Sequence, residues 1–248
     1  MKITLSENAA QLGERAGALT AEKLNEAINK NGSARLVLST GASQFETIQS
    51  LIKHNIDWSR VEVFHLDEYV ELPITHPASF RKYIKERFGD FVNAKAIYYV
   101  NTEGDIDANI KSLTEKLREA PVDVALIGIG ENAHIAFNDP PADFDNDNAY
   151  IVVELAEKCR YQQLGEGWFE SIDQVPTHAV SMTVKEIMKS KVIISSVPHA
   201  VKAQAIKDTL ENELTPNVPA TMLKKHDDFN LFIDKNSASA VEIEKYLA

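Results

Sequence analysis

The stretch VDVALIGIGENAHIAFNDPP, Val122 to Pro141, decides how this chain of 248 residues folds. Its apolar run Val124–Ile127 is typical of a buried strand, and the strand opens into a glycine turn followed by a histidine and a carboxylate. A rigid strand end would present Asn132, His134 and Asp139 together. Open α/β sheets bind ligands at the carboxyl ends of their strands. Because imidazole exchanges protons near neutral pH, the stretch predicts an acid/base site.

Outside this stretch, strand-like and helix-like segments alternate along the chain. Strands separated by helices pair in parallel through right-handed crossovers. The sequence therefore predicts one α/β domain over residues 1–248, with a Rossmann-like, three-layer, doubly wound and mostly parallel sheet that carries helices on both faces. The predicted strands are Arg35–Ser39, Val61–Leu66, Ile97–Val100, Val124–Ile127, Val192–Val197 and Asn230–Asp234. Four predicted helices have defined bounds: Pro77–Phe88, Thr183–Ser190, Ala200–Leu210 and Ser237–Leu247. Three more are predicted from their apolar positions or their start: one through Ala9, Leu12, Ala16 and Leu19 that ends at Asn31-Gly32, one that begins after Ser43, and one through Ile106, Ile110, Leu113 and Leu117.

Short polar residues indicate where several of these helices begin. Ser6 is expected to cap the first helix, and Ser43 and Thr183 each precede a glutamate by the three positions of a capping box. The segment Pro140–Asn148 is the most loop-like part of the chain and could cover a site.

Composition excludes several classes of protein. No run reaches the roughly 18 apolar residues of a membrane helix, and the N-terminus lacks a signal-peptide pattern, so a cytoplasmic protein without a membrane partner is predicted. The formal net charge of −11 argues against a nucleic-acid partner. The single cysteine, Cys159, excludes an internal disulfide framework and a cysteine cluster for zinc, and its expected role is packing.

A possible phosphate site follows the strand Arg35–Ser39. Its residues are Thr40, Gly41, Ala42 and Ser43. Small residues let the backbone approach an anion, hydroxyls add donors, and a helix N-terminus favours negative charge. Lys202, at the start of a later helix, could meet the same phosphate as a point charge. An ordinary strand-to-helix turn and an isolated surface lysine are the alternatives.

Two adjacent carboxylates, Asp67 and Glu68, follow the strand Val61–Leu66. They point in different directions, so that one can face a pocket while the other caps or pairs with a neighbour. Solvated surface acids are the alternative, since most Asp and Glu side chains are exposed. A buried structural histidine is likewise the alternative for His134. The other six histidines have no comparable neighbourhood and are interpreted as structural.

Together these segments resemble a known enzyme family. LDEYV with LPITHPASF, GIGENAHIAFNDP, STGAS and PATMLKKHDDFNLFID have the order and similar spacing found in the glucosamine-6-phosphate deaminase/isomerase family, which itself resembles the 6-phosphogluconolactonases. The resemblance covers nearly the whole chain, and HIAFN followed by an acid and a proline is similar to the deaminase branch. It implies a Rossmann-like fold and a reaction on an amino-sugar 6-phosphate that needs no metal and no nucleotide cofactor.

The resemblance also implies roles for individual residues. Asp67 would move a proton between C2 and C1 of the sugar, His134 would assist ring opening, and Asp139 would orient or charge-balance that histidine. Thr40 to Ser43 and Lys202 would hold the phosphate.

Several positions depart from the family pattern. Asn132 stands where the deaminases carry an aspartate, Asp139 replaces a glutamate, Ala133 replaces a glycine, and Ala42 lies in a loop that is usually glycine-rich. A phosphate-binding arginine of the family aligns near a glycine here, and Arg160 is the expected substitute.

Three functions therefore stay open at this stage. The first is isomerisation of a hexosamine 6-phosphate with loss of ammonia, or isomerisation of a close hexose 6-phosphate. The second is hydrolysis of 6-phosphogluconolactone, and the third is a sugar-phosphate sensor without catalysis. Self-association into a homo-oligomer is possible, and no cluster of basic residues indicates an allosteric site.

Overall fold

The structure is a computed structural model that describes residues 1–165 and 167–247. Its strands are β1 (Lys2–Ser6), β2 (Ala34–Leu38), β3 (Val61–His65), β4 (Asp67–Tyr69), β5 (Ala96–Tyr98), β6 (Val124–Leu126), β7 (Tyr150–Glu154), β8 (His178–Met182), β9 (Val192–Val197) and β10 (Phe229–Asp234). Its helices are α1 (Ala9–Asn31), α2 (Phe45–Leu51), α3 (Phe80–Arg87), α4 (Ile106–Leu117), α5 (Glu157–Gly165), α6 (Val184–Ile187) and α7 (Ala203–Glu211).

Seven of these strands form the central sheet, in the order β1-β10-β9-β6-β2-β3-β5. All neighbouring pairs in this order are parallel. In β6, Val124 and Leu126 face one helix layer and Ala125 faces the other. Helix residues on the first face include Leu12, Leu24, Ile48 and Ile84, and those on the second include Leu113, Leu117, Ile206 and Leu210. Burying each such side chain contributes roughly 1.5–3 kcal/mol, so both layers are held by apolar packing. The predicted fold class is confirmed.

A second, smaller sheet was not predicted. It is antiparallel, with the order β4-β8-β7, and pairs Asp67 with Ser181. Strand β4 is only three residues long and starts two residues after β3 ends, so its polar sequence carries no visible strand period. Its consequence is functional, because it fixes the backbone of Asp67 just beyond the central sheet.

The helix starts follow the predictions only in part. Ser6 ends β1, and Asn8 caps α1 instead, where its side chain accepts from the N–H of Gln11 at 3.0 Å. Ser43 lies inside a short 3₁₀ turn and makes no cap. Thr183 does cap α6, because its hydroxyl accepts from the N–H of Glu186 at 3.1 Å.

The predicted closing helix, Ser237–Leu247, is wrong. Asp234 accepts from the N–H of Ser237 at 2.8 Å, which directs the chain into turns, and only the 3₁₀ turn Ile243–Lys245 follows. The predicted loop Pro140–Asn148 contains no helix or strand, as expected. Within the two described ranges, no helix has the length and apolar content needed to cross a membrane.

Candidate active site

Four neighbouring strands of the central sheet, β9, β6, β2 and β3, end around one cavity of about 200 Å³. The residues that follow these strands supply most of its wall, as expected for the ligand edge of an open α/β sheet. The lining residues are Ser39, Thr40, Gly41, Ala42, Ser43, Leu66, Asp67, Phe80, Gly128, Ile129, Gly130, Glu131, His134, Ala136, Phe137, Gln163, His199, Val201 and Lys202. The predicted phosphate loop, Asp67, His134 and Lys202 therefore share one site.

Asp67 is a buried carboxylate on the cavity wall, 6% exposed. Burial, and the neighbouring Glu68 carboxylate, raise the pKa of Asp67 well above its ordinary value. A carboxylate with a raised pKa is a stronger base once ionised, which suits proton abstraction from carbon.

Glu68 points away from the cavity and holds the start of α3. Its carboxylate accepts from the N–H groups of Phe80 and Arg81 at 3.1 and 2.9 Å and from the Ser79 hydroxyl at 2.7 Å. It also pairs with the Arg81 guanidinium at 3.2 Å, and both side chains are buried. The adjacent acids thus have separate tasks: Asp67 faces the cavity, and Glu68 fixes the fold around it.

His134 belongs to a three-residue polar network. Its Nδ1 lies 3.3 Å from Oδ1 of Asp139, and Asn132 donates from Nδ2 to that same oxygen at 3.0 Å. Asn132 also accepts from the backbone N–H of His134 at 3.2 Å. Because Nδ1 is directed at Asp139, Nε2 is the nitrogen left for chemistry in the cavity.

Asp139 is the charged member of this network. Burial raises its pKa, but the His134 imidazole, the Asn132 amide and the backbone N–H of Ala156 outweigh burial, and the pKa of Asp139 lies below its ordinary value. Asp139 is therefore a carboxylate at neutral pH and can stabilise an imidazolium on His134.

The turn after β6 is shaped to hold this histidine. Ala133 has φ 62° and Ala136 has φ 50°, in the left-handed region that favours glycine. The left-handed backbone conformation of Ala133 explains why the family pattern has glycine at this position. Alanine adopts the same conformation at some cost in strain.

The predicted phosphate loop is part of the cavity lining. Gly41 has φ 97°, and its carbonyl accepts from the Tyr83 hydroxyl at 2.9 Å. Gln44 ties this loop to β9 by donating to the carbonyl of Ser196 at 3.0 Å. Lys202 lies at the start of α7 and lines the same cavity. The lining thus includes a glycine-containing loop with hydroxyl side chains and a lysine, which are groups suited to an anion.

Arg160 is not part of this arrangement. Its Nη2 donates to the carbonyls of Ile172 and Val175 at 2.7 and 3.0 Å, and Arg160 is outside the lining residues named above. The expectation that it replaces a phosphate-binding arginine is therefore corrected. Its guanidinium instead joins α5 to the segment that follows.

Gln163 and His199 are among the lining residues that were missed from the sequence. Gln163, on α5, is buried, and its Oε1 accepts from the Tyr69 hydroxyl at 2.5 Å. His199 has φ 80°, and its N–H donates to the Asp234 carboxylate at 3.2 Å. Gln163 gives no sequence signal because α5 is far from the other motifs. His199 lies two residues after the end of β9, and this position at a strand end could have identified it.

One group of side chains has donor atoms suited to a metal ion. The donor atoms of His134, Asp139 and Cys159 all lie within 4.8 Å of one another. The single cysteine excludes a cysteine cluster but not a mixed group of this kind, in which histidine and aspartate supply the other donor atoms.

Comparisons with known proteins agree with this geometry. Residues 7–232 match the family described as glucosamine-6-phosphate isomerases/6-phosphogluconolactonase. A glucosamine-6-phosphate deaminase of Lactobacillus delbrueckii subsp. bulgaricus is 34% identical over 98% of this chain and 100% of its own length. One of Clostridium botulinum is 34% identical over 99% of each chain.

Solved structures give the same relationship. A monomeric glucosamine-6-phosphate deaminase has a TM-score of 0.89 and 29% identity, and the match covers 97% of this chain and 100% of that one. A 6-phosphogluconolactonase of Thermotoga maritima has a TM-score of 0.76 at 19% identity, covering 94% and 99%, which shows a shared fold. This chain belongs to the family of glucosamine-6-phosphate isomerases and 6-phosphogluconolactonases.

Proposed function

We propose that this chain, acting as one domain, converts glucosamine 6-phosphate and water into fructose 6-phosphate and ammonia. The observation that carries the proposal is the shared cavity, which is lined by Asp67 and His134 together with the loop Thr40–Ser43 and Lys202. The deaminases named above support the choice of an amino sugar.

The reaction begins with opening of the sugar ring. His134 moves the proton from the anomeric hydroxyl to the ring oxygen, which yields the open-chain aldehyde. Asp139 stabilises the imidazolium formed on the way, and the Asn132 amide keeps that carboxylate in position.

Proton transfer between carbons follows. Asp67 removes the C2 proton while the C1 carbonyl oxygen takes up a proton, which gives an enolamine. Asp67 then returns its proton to C1, and the nitrogen loses one proton, which balances the one gained by the oxygen and leaves an imine at C2. Water adds to this imine, and ammonia leaves as the C2 ketone forms. The phosphate, held by Thr40–Ser43 and Lys202, positions C1 and C2 beside Asp67.

The substitution of aspartate by Asn132 is compatible with this chemistry. The amide cannot supply a negative charge, but it donates to Asp139, and the Asp139 carboxylate directly contacts the imidazole. The charge that the imidazolium needs therefore comes from Asp139.

The test measures ammonia and fructose 6-phosphate from glucosamine 6-phosphate. Asp67→Asn and His134→Gln should each abolish both products, and Asp145→Asn, the same exchange on an exposed loop, is the matched control. Failure of the unaltered protein to turn over any hexosamine or hexose 6-phosphate would overturn the proposal.

The same assay separates the two other predicted functions. Hydrolysis of 6-phosphogluconolactone faster than its spontaneous opening would indicate the lactonase. Tight sugar-phosphate binding by calorimetry without any product would indicate the sensor. A cytoplasmic location and self-association stay predictions.

A further inference from the structure

Cys159 lies directly behind the polar network of His134. It is in the first turn of α5, is 1% exposed, and packs in an apolar cluster with Tyr69 and Phe137. The thiol is also close to the site, because its Sγ lies within 4.8 Å of donor atoms of both His134 and Asp139. Packing alone accounts for burial of the thiol but not for its position beside an imidazole and a carboxylate.

The donor set matches zinc. Thiolate, imidazole and carboxylate are the three usual protein ligands of Zn²⁺, whereas magnesium and calcium prefer oxygen alone. Bonds of about 2.0–2.3 Å in a tetrahedral site place ligand atoms roughly 3.3–3.8 Å apart. The donor atoms of these side chains lie within 4.8 Å of one another, so a closure of about 1 Å would complete the geometry.

Two of the donors are also available. Among the described residues, Nδ1 of His134 and Oδ2 of Asp139 are buried and make no hydrogen bond of ordinary geometry. His134 is itself 8% exposed and borders the cavity, which gives an ion a route to the site. A metal ion bound to Nδ1 would therefore replace a loose 3.3 Å contact between His134 and Asp139.

We propose that His134, Asp139 and Cys159 form a zinc site whose occupation inhibits the enzyme. Three protein ligands leave the fourth tetrahedral position for water. An ion on Nδ1 separates His134 from Asp139, and the imidazole then lacks the carboxylate that stabilises its protonated form. The inhibitory consequence rests on the proposed function, whereas metal binding itself does not.

The first experiment measures binding independently of activity. The apo protein, treated with chelator, is titrated with Co²⁺ as a spectroscopic substitute for zinc. One bound ion per chain with thiolate-to-cobalt charge-transfer absorption is expected, and Zn²⁺ should abolish the absorption by displacement. Absence of this absorption in a folded, reduced protein would overturn the site, whatever the fate of the proposed reaction.

Variants then assign the ligands. Cys159→Ala should lose the absorption, and Cys159→Ala and Asp139→Asn should each weaken Zn²⁺ binding at least about 10-fold. Cys159→Ser, which keeps the size of the side chain, serves the same purpose if alanine disturbs the apolar cluster. Unchanged zinc affinity in both cysteine variants would contradict the assignment.

The last experiment tests inhibition. The ratio of rates with and without buffered zinc should fall in the unaltered protein, return to one after addition of chelator, and stay near one in Cys159→Ser. Equal inhibition of both proteins would place the inhibitory ion elsewhere and overturn the regulatory part of the proposal.

Discussion

The imidazole of His134 lies directly against the backbone of Gly130: a Cβ built on residue 130 would be 2.2 Å from Cε1 of the ring. No side chain fits in this space, so the glycine of this turn is required by close approach. The histidine is thus held between the bare backbone of Gly130 on one side and the Asp139 carboxylate on the other.

Gly130→Ala should therefore displace the imidazole and lower kcat about 100-fold, since a shift of 1 Å in a catalytic group has an effect of that order. Gly128→Ala is the matched control in the same turn, because its Cβ would be no closer than 3.4 Å to the Gln44 amide and 3.9 Å to Ser39, which are ordinary contacts. Steady-state kinetics of both variants give the comparison. Equal losses would show that the turn, not the ring contact, is responsible.

Asp67→Asn should abolish activity and stabilise the fold at neutral pH. The folded protein keeps a proton on Asp67 to a higher pH than the unfolded chain does, since burial and Glu68 raise the pKa of this carboxyl. Below the ordinary pKa of 3.8, Asp67 is protonated in both states and its ionisation does not change the free energy of unfolding. As the pH rises from 3.8 toward the raised pKa of the folded state, the free energy of unfolding decreases. Asparagine removes this pH-dependent penalty.

Urea unfolding at pH 4 and pH 8 measures the effect. The gain in free energy of unfolding from Asp67→Asn should be about 1 kcal/mol at pH 8 and smaller at pH 4. A variant that is less stable at pH 8 than the unaltered protein would contradict the raised pKa.

Glu68→Gln should destabilise the protein by roughly 3 kcal/mol, because it leaves the buried Arg81 guanidinium without its buried counter-ion. Glu103→Gln is the control on the same guanidinium. Glu103 pairs with Arg81 at 2.9 Å but is 48% exposed, so its loss should change stability by less than about 1 kcal/mol. Thermal or urea unfolding distinguishes the two, and similar losses would argue against a special role for burial.

The sequence predicted six of the seven strands of the central sheet and missed β1. Buried parallel strands favour apolar runs, and Val192–Val197 was predicted with the observed bounds although Ser195 and Ser196 interrupt its run. It could not predict the pairing of Asp67 with Ser181, since a strand of three polar residues has no readable period. Contacts between residues that are distant in the sequence could not be predicted either. The places of Gln163 and Cys159 beside the site depend on how α5 packs, which no local pattern encodes.

Lys202→Ala should raise KM for the sugar phosphate about 10-fold or more and change kcat little. A charge-assisted hydrogen bond to phosphate contributes roughly 1.5–3 kcal/mol, and a contact made equally in ground and transition states affects binding alone. Competitive inhibition by inorganic phosphate should weaken in this variant by a similar factor. Lys207→Ala, on the same helix but outside the cavity lining, is the control and should leave both constants unchanged.

His199→Gly should stabilise the protein, although it removes a side chain. With φ 80° and ψ 146°, His199 lies close to a region that only glycine adopts readily, at a cost of about 1–3 kcal/mol. Glycine releases that strain but adds unfolded-state entropy worth roughly 0.5–1 kcal/mol, so the net gain should be about 1 kcal/mol. His199→Ala separates the two effects, because alanine lacks the ring yet keeps the strained backbone. Urea unfolding should rank the glycine variant above both the unaltered protein and the alanine variant, and an alanine variant as stable as the glycine variant would trace the gain to the ring instead of the backbone.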